Sequence, residues 1–263
     1  MLFTDGHIST IEELSTQDSA VLDVASTEAI NLTAKLGLAQ EELAIELRAA
    51  LARSRLSGSD SMYWWPGNPV TNSSQYQLRD VVVTPALRLW HTFYTLALIY
   101  RDAYNSQLND RYLGKWRQYR DLAGWASDRL FQAGIGTASD PVPIAEVPEL
   151  TAQPGDFSAL TYYVQVSWLN ARGEEGMSSP VASLDAPDQT ALQVRPMNPP
   201  IQAKAWNIYA GDTVTTITRQ NASPLDLTEV WVEPSSGLLS GTVPGTGQEP
   251  NYFRSVPRIL QRG

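Results

Sequence analysis

The chain has 263 residues, enough for one large domain or two of ordinary size, and its 43% apolar content suits folding around a core. It carries no cysteine, which excludes disulfides and thiolate metal sites, and its formal net charge is −9. Both halves share that charge, with 12 basic and 16 acidic groups in residues 1–140 and 7 and 12 in residues 141–263, so neither half offers the concentrated positive face of a DNA-gripping protein.

The first stretch, MLFTDGHIST, lacks the basic-then-apolar pattern of a secretory signal. Ser9-Thr10-Ile11-Glu12-Glu13 offers a capping box for a short first helix. A second helix is predicted over 24–35, stopped at Gly37, and a third over 38–55, with Leu43, Leu47 and Leu51 at helical spacing. Residues 57–79 then form a long loop holding Tyr63-Trp64-Trp65 before Pro66-Gly67. Adjacent tryptophans seek cover, so Trp64 and Trp65 either cap the open end of the bundle or dock on another chain, where Trp is a common anchor.

The clearest helix signal is 84–107. Thr84 can cap it, and Pro85 stands at the first helical position, where its missing N–H costs nothing. Leu87, Trp90, Tyr94, Ala97, Leu98, Arg101 and Tyr104 trace one face of a rod roughly 33 Å long. After a break at Asn109-Asp110, Tyr112, Trp116, Tyr119, Leu122, Ala126 and Leu130 trace a second rod over 111–133. So short a connection predicts a long antiparallel helical hairpin. The apolar run at 86–100 contains Arg88 and His91 and falls short of the ~20 residues of a membrane span.

The character of the chain changes at residues 135–150, IGTASDPVPIAEVPEL, where Pro141, Pro143 and Pro148 interrupt any period. Beyond it, residues 161–169 alternate, with Tyr162, Val164, Val166 and Trp168 on one side. Further strands are predicted over 181–184, 191–195, 205–210, 215–218 and 229–232, with Gly or Pro in almost every gap. Strands this short and regular predict a small β-sandwich. The expected plan is a multidomain α-then-β chain: a helical bundle (1–134), a Pro-rich linker (135–150), a sandwich (151–249) and an extended arm (250–263). That arm holds Arg254, Arg258 and Arg262 and no acidic residue.

Chemistry-bearing patterns are few. His7 and His91 are the only histidines, and His91 sits beside Trp90 within a helix, where a structural role outweighs a general base. The pairs Glu12-Glu13, Glu41-Glu42 and Glu174-Glu175 are adjacent residues whose side chains diverge, as on a solvated face, whereas glycoside hydrolysis needs two carboxylates facing one sugar. The Gly-x-Gly turns at 134–136 and 245–247 lack the phosphate-binding fingerprints. No catalytic, cofactor or metal site is expected, and the chain is not expected to be an enzyme.

The run YYVQVSWLNARGEEGMSSPVAS (162–183) resembles the strand–turn–strand of fibronectin type III and immunoglobulin-like modules, and AWNIYAG (205–211) is similar to a Trp-bearing strand of such modules on tailed-phage virion proteins. Residues 84–126 resemble the helical head–tail connector (adaptor) proteins of tailed bacteriophages. The resemblance implies a structural virion protein at the head–tail junction, assembled in the host cytoplasm. It implies a homo-oligomeric ring, usually of twelve copies, between the portal protein and tail or nozzle proteins. Genomic DNA would pass through its channel without specific binding. The resemblance also implies a C-terminal arm that reaches into the portal, here carried to Tyr252, Phe253, Arg254 and Arg258. The rival reading is a carbohydrate-binding or other tail-associated accessory module that uses Trp168, Trp206 and Trp231. If Trp64 and Trp65 dock on a partner, replacing both with Ala impairs assembly more than stability. A sharp drop in melting temperature with normal assembly would select the capping role.

Overall fold

The computed structural model describes residues 1–56, 76–107 and 110–255. Trp64, Trp65 and Arg258 lie outside the described residues. The chain forms a helical region followed by a β-rich one, and it divides into two compact units that interleave in sequence. The helical unit comprises Gly6–Thr137 and Pro250–Gly263, and the β unit comprises Met1–Asp5 and Ala138–Glu249.

In the helical unit, α1 (Ile11–Gln17) starts on the expected capping box: the Glu13 N–H donates to the Thr10 hydroxyl at 3.2 Å, and the Thr10 N–H donates to the Glu13 carboxylate at 2.9 Å. After α2 (Val21–Thr27), the break falls at Ala29 (φ 53°) instead of at Gly37, and α3 runs unbroken over Leu32–Leu56. Asn31 caps it through the Ala34 N–H. Burial of Leu36, Ala39, Leu43, Leu47 and Leu51 along one face outweighs the ~1 kcal/mol that a mid-helix glycine costs.

Helix α4 (Pro85–Gln107) is capped by Thr84 and is buried almost all round, including Phe93, Leu96, Ile99 and Tyr100 outside the predicted stripe. A helix apolar on every side belongs inside its bundle. Helix α5 (Leu113–Ala133) packs along it. Ring contacts pair Trp90 with Phe131, Tyr100 with Tyr119 and Tyr104 with Trp116, in opposite order along the two helices. Gly134 ends α5 at φ 97°, where a Cβ would stand 3.0 Å from the Arg254 backbone.

That close approach exists because β1 (Ile135–Thr137) pairs antiparallel with β10 (Tyr252–Arg254). On its other side β1 meets Val81 and Val82. Two sequence expectations are corrected here. Residues 135–137 are a strand of the helical unit, not linker, and residues 252–254 return to that unit as a strand, not as an extended arm. Three-residue strands carry too little period to be read from sequence.

The β unit begins with β2 (Glu149–Phe157), an edge strand that is not among the strands expected from the sequence. Its Pro154 is tolerated on an edge, and the register shifts just after it. Next come β3 (Leu160–Leu169), β4 (Ala182–Ala186), β5 (Thr190–Arg195), β6 (Ala205–Gly211), β7 (Thr218–Arg219), β8 (Leu225–Asp226) and β9 (Trp231–Val232). They form one sheet in the order β2-β5-β9 and another in the order β4-β3-β6-β7, with β8 also on β6. One core takes Val164, Val166, Trp168, Trp206 and Ile208 from the second sheet and Leu192, Val194 and Trp231 from the first. Trp168 and Trp206 face each other across β3 and β6, as the alternation predicts.

The rest of the predicted linker is also structured. Val142 and Ala145 join the core, and their backbone N–H groups donate to Gln248 Oε1 and to the Met177 carbonyl. The first residues, assigned to the helical domain from sequence, belong instead to the β unit. The terminal ammonium donates to the Thr246 carbonyl at 2.9 Å, and Asp5 accepts from the Leu2 and Ile144 N–H groups. Gly247, at φ 96°, leaves room for the Met1 backbone, which a Cβ would approach to 2.7 Å.

The helical unit converges on Asp18, which follows α1. Its Oδ2 accepts from the Tyr100 hydroxyl at 2.8 Å, the Tyr119 hydroxyl at 2.9 Å and Lys115 Nζ at 3.0 Å, tying the first turn of the unit to both long helices. Burial opposes its ionisation, but Lys115, the two hydroxyls and the Ala20 N–H outweigh burial and hold its carboxyl below the usual carboxylate range. Asp18→Ala should cost about 3 kcal/mol by stranding three donors. Urea unfolding followed by far-ultraviolet circular dichroism would measure this, and a loss below about 1 kcal/mol would show that the cluster is incidental.

Candidate functional site

The one histidine in a position to act as a base is fully buried. His91 Nε2 lies 3.1 Å from the Leu36 carbonyl oxygen, and Nδ1 lies 2.9 Å from the Ser9 hydroxyl. The carbonyl only accepts, so Nε2 carries the proton and Nδ1 accepts from Ser9. A serine hydrogen-bonded to an imidazole is the start of a nucleophilic pair. Here both residues are at 0% exposure, with Thr92 2.8 Å from the same hydroxyl, and no substrate reaches either. Burial pushes His91 down to about 4. His7 is exposed.

Glu174 and Glu175 diverge as predicted, but they do not sit on a solvated face. Glu175 Oε1 accepts from Ser167, from Asn207 at 3.1 Å and from Tyr209 at 2.5 Å, while Asn221 bridges to Asn207. Glu174 Oε2 turns the other way, to Asn170 at 2.7 Å and Gln248 at 2.9 Å. Together they satisfy a buried polar layer on the face of β3 and β6 opposite the core. The alternating polar positions Ser167, Asn207 and Tyr209 were the signal in the sequence. Glu13 pairs with Arg88 at 2.8 Å, and Glu42 accepts from Tyr94.

The predicted contact residues fare differently. Tyr252 and Phe253 are 55% and 60% exposed on β10, whose only strand partner among the described residues is β1. Among the described residues no second strand pairs with β10, and its two aromatic rings are exposed. Arg254 points away from a contact role: its guanidinium lies 3.6 Å from the centre of the Tyr76 ring and pins the strand just before residues 256–263. Trp168, Trp206 and Trp231, the platform of the carbohydrate-binding reading, are 1%, 0% and 8% exposed and offer no ring to a sugar.

Among the described residues, no group of three His, Asp or Glu side chains converges as a metal site, and no helix is long and apolar enough to cross a membrane. No family model, curated protein or solved structure matches the chain.

The buried imidazole makes a pH prediction. The folded protein holds His91 neutral down to about pH 4, whereas the unfolded chain protonates it near 6.5. The unfolded state therefore binds the extra proton first, and stability falls as pH drops from about 6.5 to 4, by up to about 3 kcal/mol. Denaturation at pH 7 and pH 4.5 should show this loss in the wild type and much less of it in His91→Gln; equal slopes in the two would refute the assignment.

Proposed function

We propose that this chain is a structural virion protein, a head-to-tail adaptor whose copies close a ring between portal and tail around the DNA channel. On this reading its work is association, and no bond is made or broken. The observation that carries it is the edge strand β10, stiffly paired to β1 and stacked through Arg254, which presents Tyr252 and Phe253 to solvent. An exposed aromatic pair on a strand edge fits strand addition or hot-spot contact with another chain.

Other features support the reading. Helices α4 and α5, with their reversed ring contacts, have the form of the long antiparallel hairpin seen in the resemblance to connector proteins. The buried His, Asp and Glu groups described above are taken up by structural partners. The two sheets around one core, with β2 beside β5 and β3 beside β6, suit a fibronectin type III or immunoglobulin-like sandwich. Acidic charge in both halves suits a channel that DNA passes without sticking. Closed rings need heterologous contacts between neighbouring copies, and on this reading residues 256–263, with Arg258 and Arg262, contact the portal.

Images of the purified full chain, with and without portal protein, test the reading. A ring with a central hole is expected, and a monodisperse monomer under both conditions would sink it. Tyr252→Ser with Phe253→Ser should leave stability within about 0.5 kcal/mol, as surface changes do, while lowering ring yield. Removing 256–263, and not the paired residues 250–255, should leave the fold intact and weaken portal attachment; unchanged attachment would remove the tail from the mechanism.

A further inference from the structure

One carboxylate in the β unit is left half-used. Glu233, just past β9, is 6% exposed. Its Oε2 accepts from the Tyr162 hydroxyl at 2.7 Å and from the Leu192 N–H at 3.2 Å, and its own N–H donates to the Leu192 carbonyl. Oε1 accepts from none of the described residues. Glu233 and Tyr162 line a cleft of about 660 Å³ whose walls include Phe157, Leu160, Leu238 and Leu239. Leu160 and Leu239 are exposed at 38% and 49%. Desolvation and the Glu233 carboxylate push the Tyr162 hydroxyl up from its ordinary value, so it remains a donor that fixes the carboxylate in place.

The electrostatics of the cleft have one sign. Asp212 is the other ionisable acid that lines it, and no lysine, arginine or histidine does. Oε1 is not one of the fully buried unpaired atoms among the described residues, and Glu233 stands in a cleft lining that is largely apolar, so a donor that enters the cleft can fill the capacity left open on this carboxylate. The best complement is a positive donor head on an apolar stem. Such a group pairs with Oε1 while its stem covers the leucines, and the low local dielectric strengthens the pair.

We propose that this cleft is a binding site for a cationic group, ammonium or guanidinium, carried on an apolar stem. The group is either a free amine or a lysine or arginine side chain presented by a partner. This site stands whether or not the chain forms a ring, since it uses only residues 157–240 of one β unit.

The test uses the full chain with isotope-labelled leucine methyl groups, titrated with n-hexylammonium, with n-hexanol as the neutral match and with the blocked tripeptide acetyl-Leu-Arg-Leu-amide. Hexylammonium should shift the Leu160, Leu238 and Leu239 methyl signals and bind at least tenfold more tightly than hexanol. Glu233→Gln should erase that preference. Because Glu233 also braces Tyr162 and Leu192, the wild-type comparison of hexylammonium with hexanol decides the matter if the variant folds poorly. Tighter binding of the tripeptide assigns the cation to a partner's side chain, and weaker binding assigns it to a free amine. Equal affinity for hexanol and hexylammonium, or shifts confined to other leucines, would overturn the proposal.

Discussion

A carboxylate taken out of water must be supplied with donors or lose its charge, and in a chain with 28 acidic and 19 basic residues the supply of cations is short. Most of the buried acids are met instead by neutral donors. Glu175 is held by a serine, an asparagine and a tyrosine, Glu233 by a tyrosine and a backbone N–H, and Asp5 by two backbone N–H groups. Tyrosine suits this use because its ring packs as core while its hydroxyl reaches the acid. Two aspartates end on opposite sides of this balance. Burial dominates at Asp5 and raises its pKa despite two N–H donors and the field of the terminal ammonium, whereas direct hydrogen bonds from Lys115, two tyrosine hydroxyls and the Ala20 N–H tip Asp18 the other way. Asp18 can therefore hold its charge at the meeting point of α1, α4 and α5.

The backbone has a matching need for partners, and Met1–Asp5 and Gln248 help to meet it. Asp5 satisfies the Ile144 N–H, Gln248 satisfies the Val142 N–H, and the terminal ammonium meets the Thr246 carbonyl. Segments 138–148 and 243–249 form no ladder of their own, so their backbone groups are paired by side chains and termini drawn from far along the sequence. Neither unit is then one continuous stretch. A cut within 135–150 would strip the β unit of Met1–Asp5 and the helical unit of β10, so it would not release two intact pieces.

Much of the helical region was legible because its signals are local. The Thr10 box, the Thr84-Pro85 start and the Trp90-to-Leu130 stripes all reappear in the structure. The alternation of Tyr162, Val164, Val166 and Trp168 likewise gave the buried face of β3. What failed was non-local or ambiguous. Gly37 looked like a stop, yet Leu36, Ala39 and Leu43 on either side of it pack well enough to carry the helix through. Strand β2 was not expected at all: Pro154 and Gly155 weaken its period, yet on an edge the missing N–H of Pro154 interrupts no ladder. Strands β1 and β10 are three residues each and exist only through pairing across more than a hundred positions. Glu174-Glu175 could be read as a solvated pair because two of the amides that bind it, Asn207 and Gln248, come from distant segments. Of the candidate contact residues, Tyr252 and Phe253 are exposed, Arg254 is occupied by Tyr76, and Trp64, Trp65 and Arg258 lie outside the described residues.

Charge also limits how copies of this chain could meet. Molecules carrying −9 each repel one another at long range, but salt screens exposed charges beyond ~8–10 Å at physiological strength. What remains decisive is contact: apolar area, strand pairing and local complementarity within that distance. Tyr252 and Phe253 on β10 offer the first two. The tail that follows, with Arg258 and Arg262 and no acid, is locally positive in a molecule that is otherwise acidic. It can approach another acidic surface where the rest of the chain is repelled. Among the described residues nothing pairs with the outer side of β10, and 252–253 carry no charged or proline guard against the pairing that an open edge invites; on the reading proposed above, a partner strand covers it.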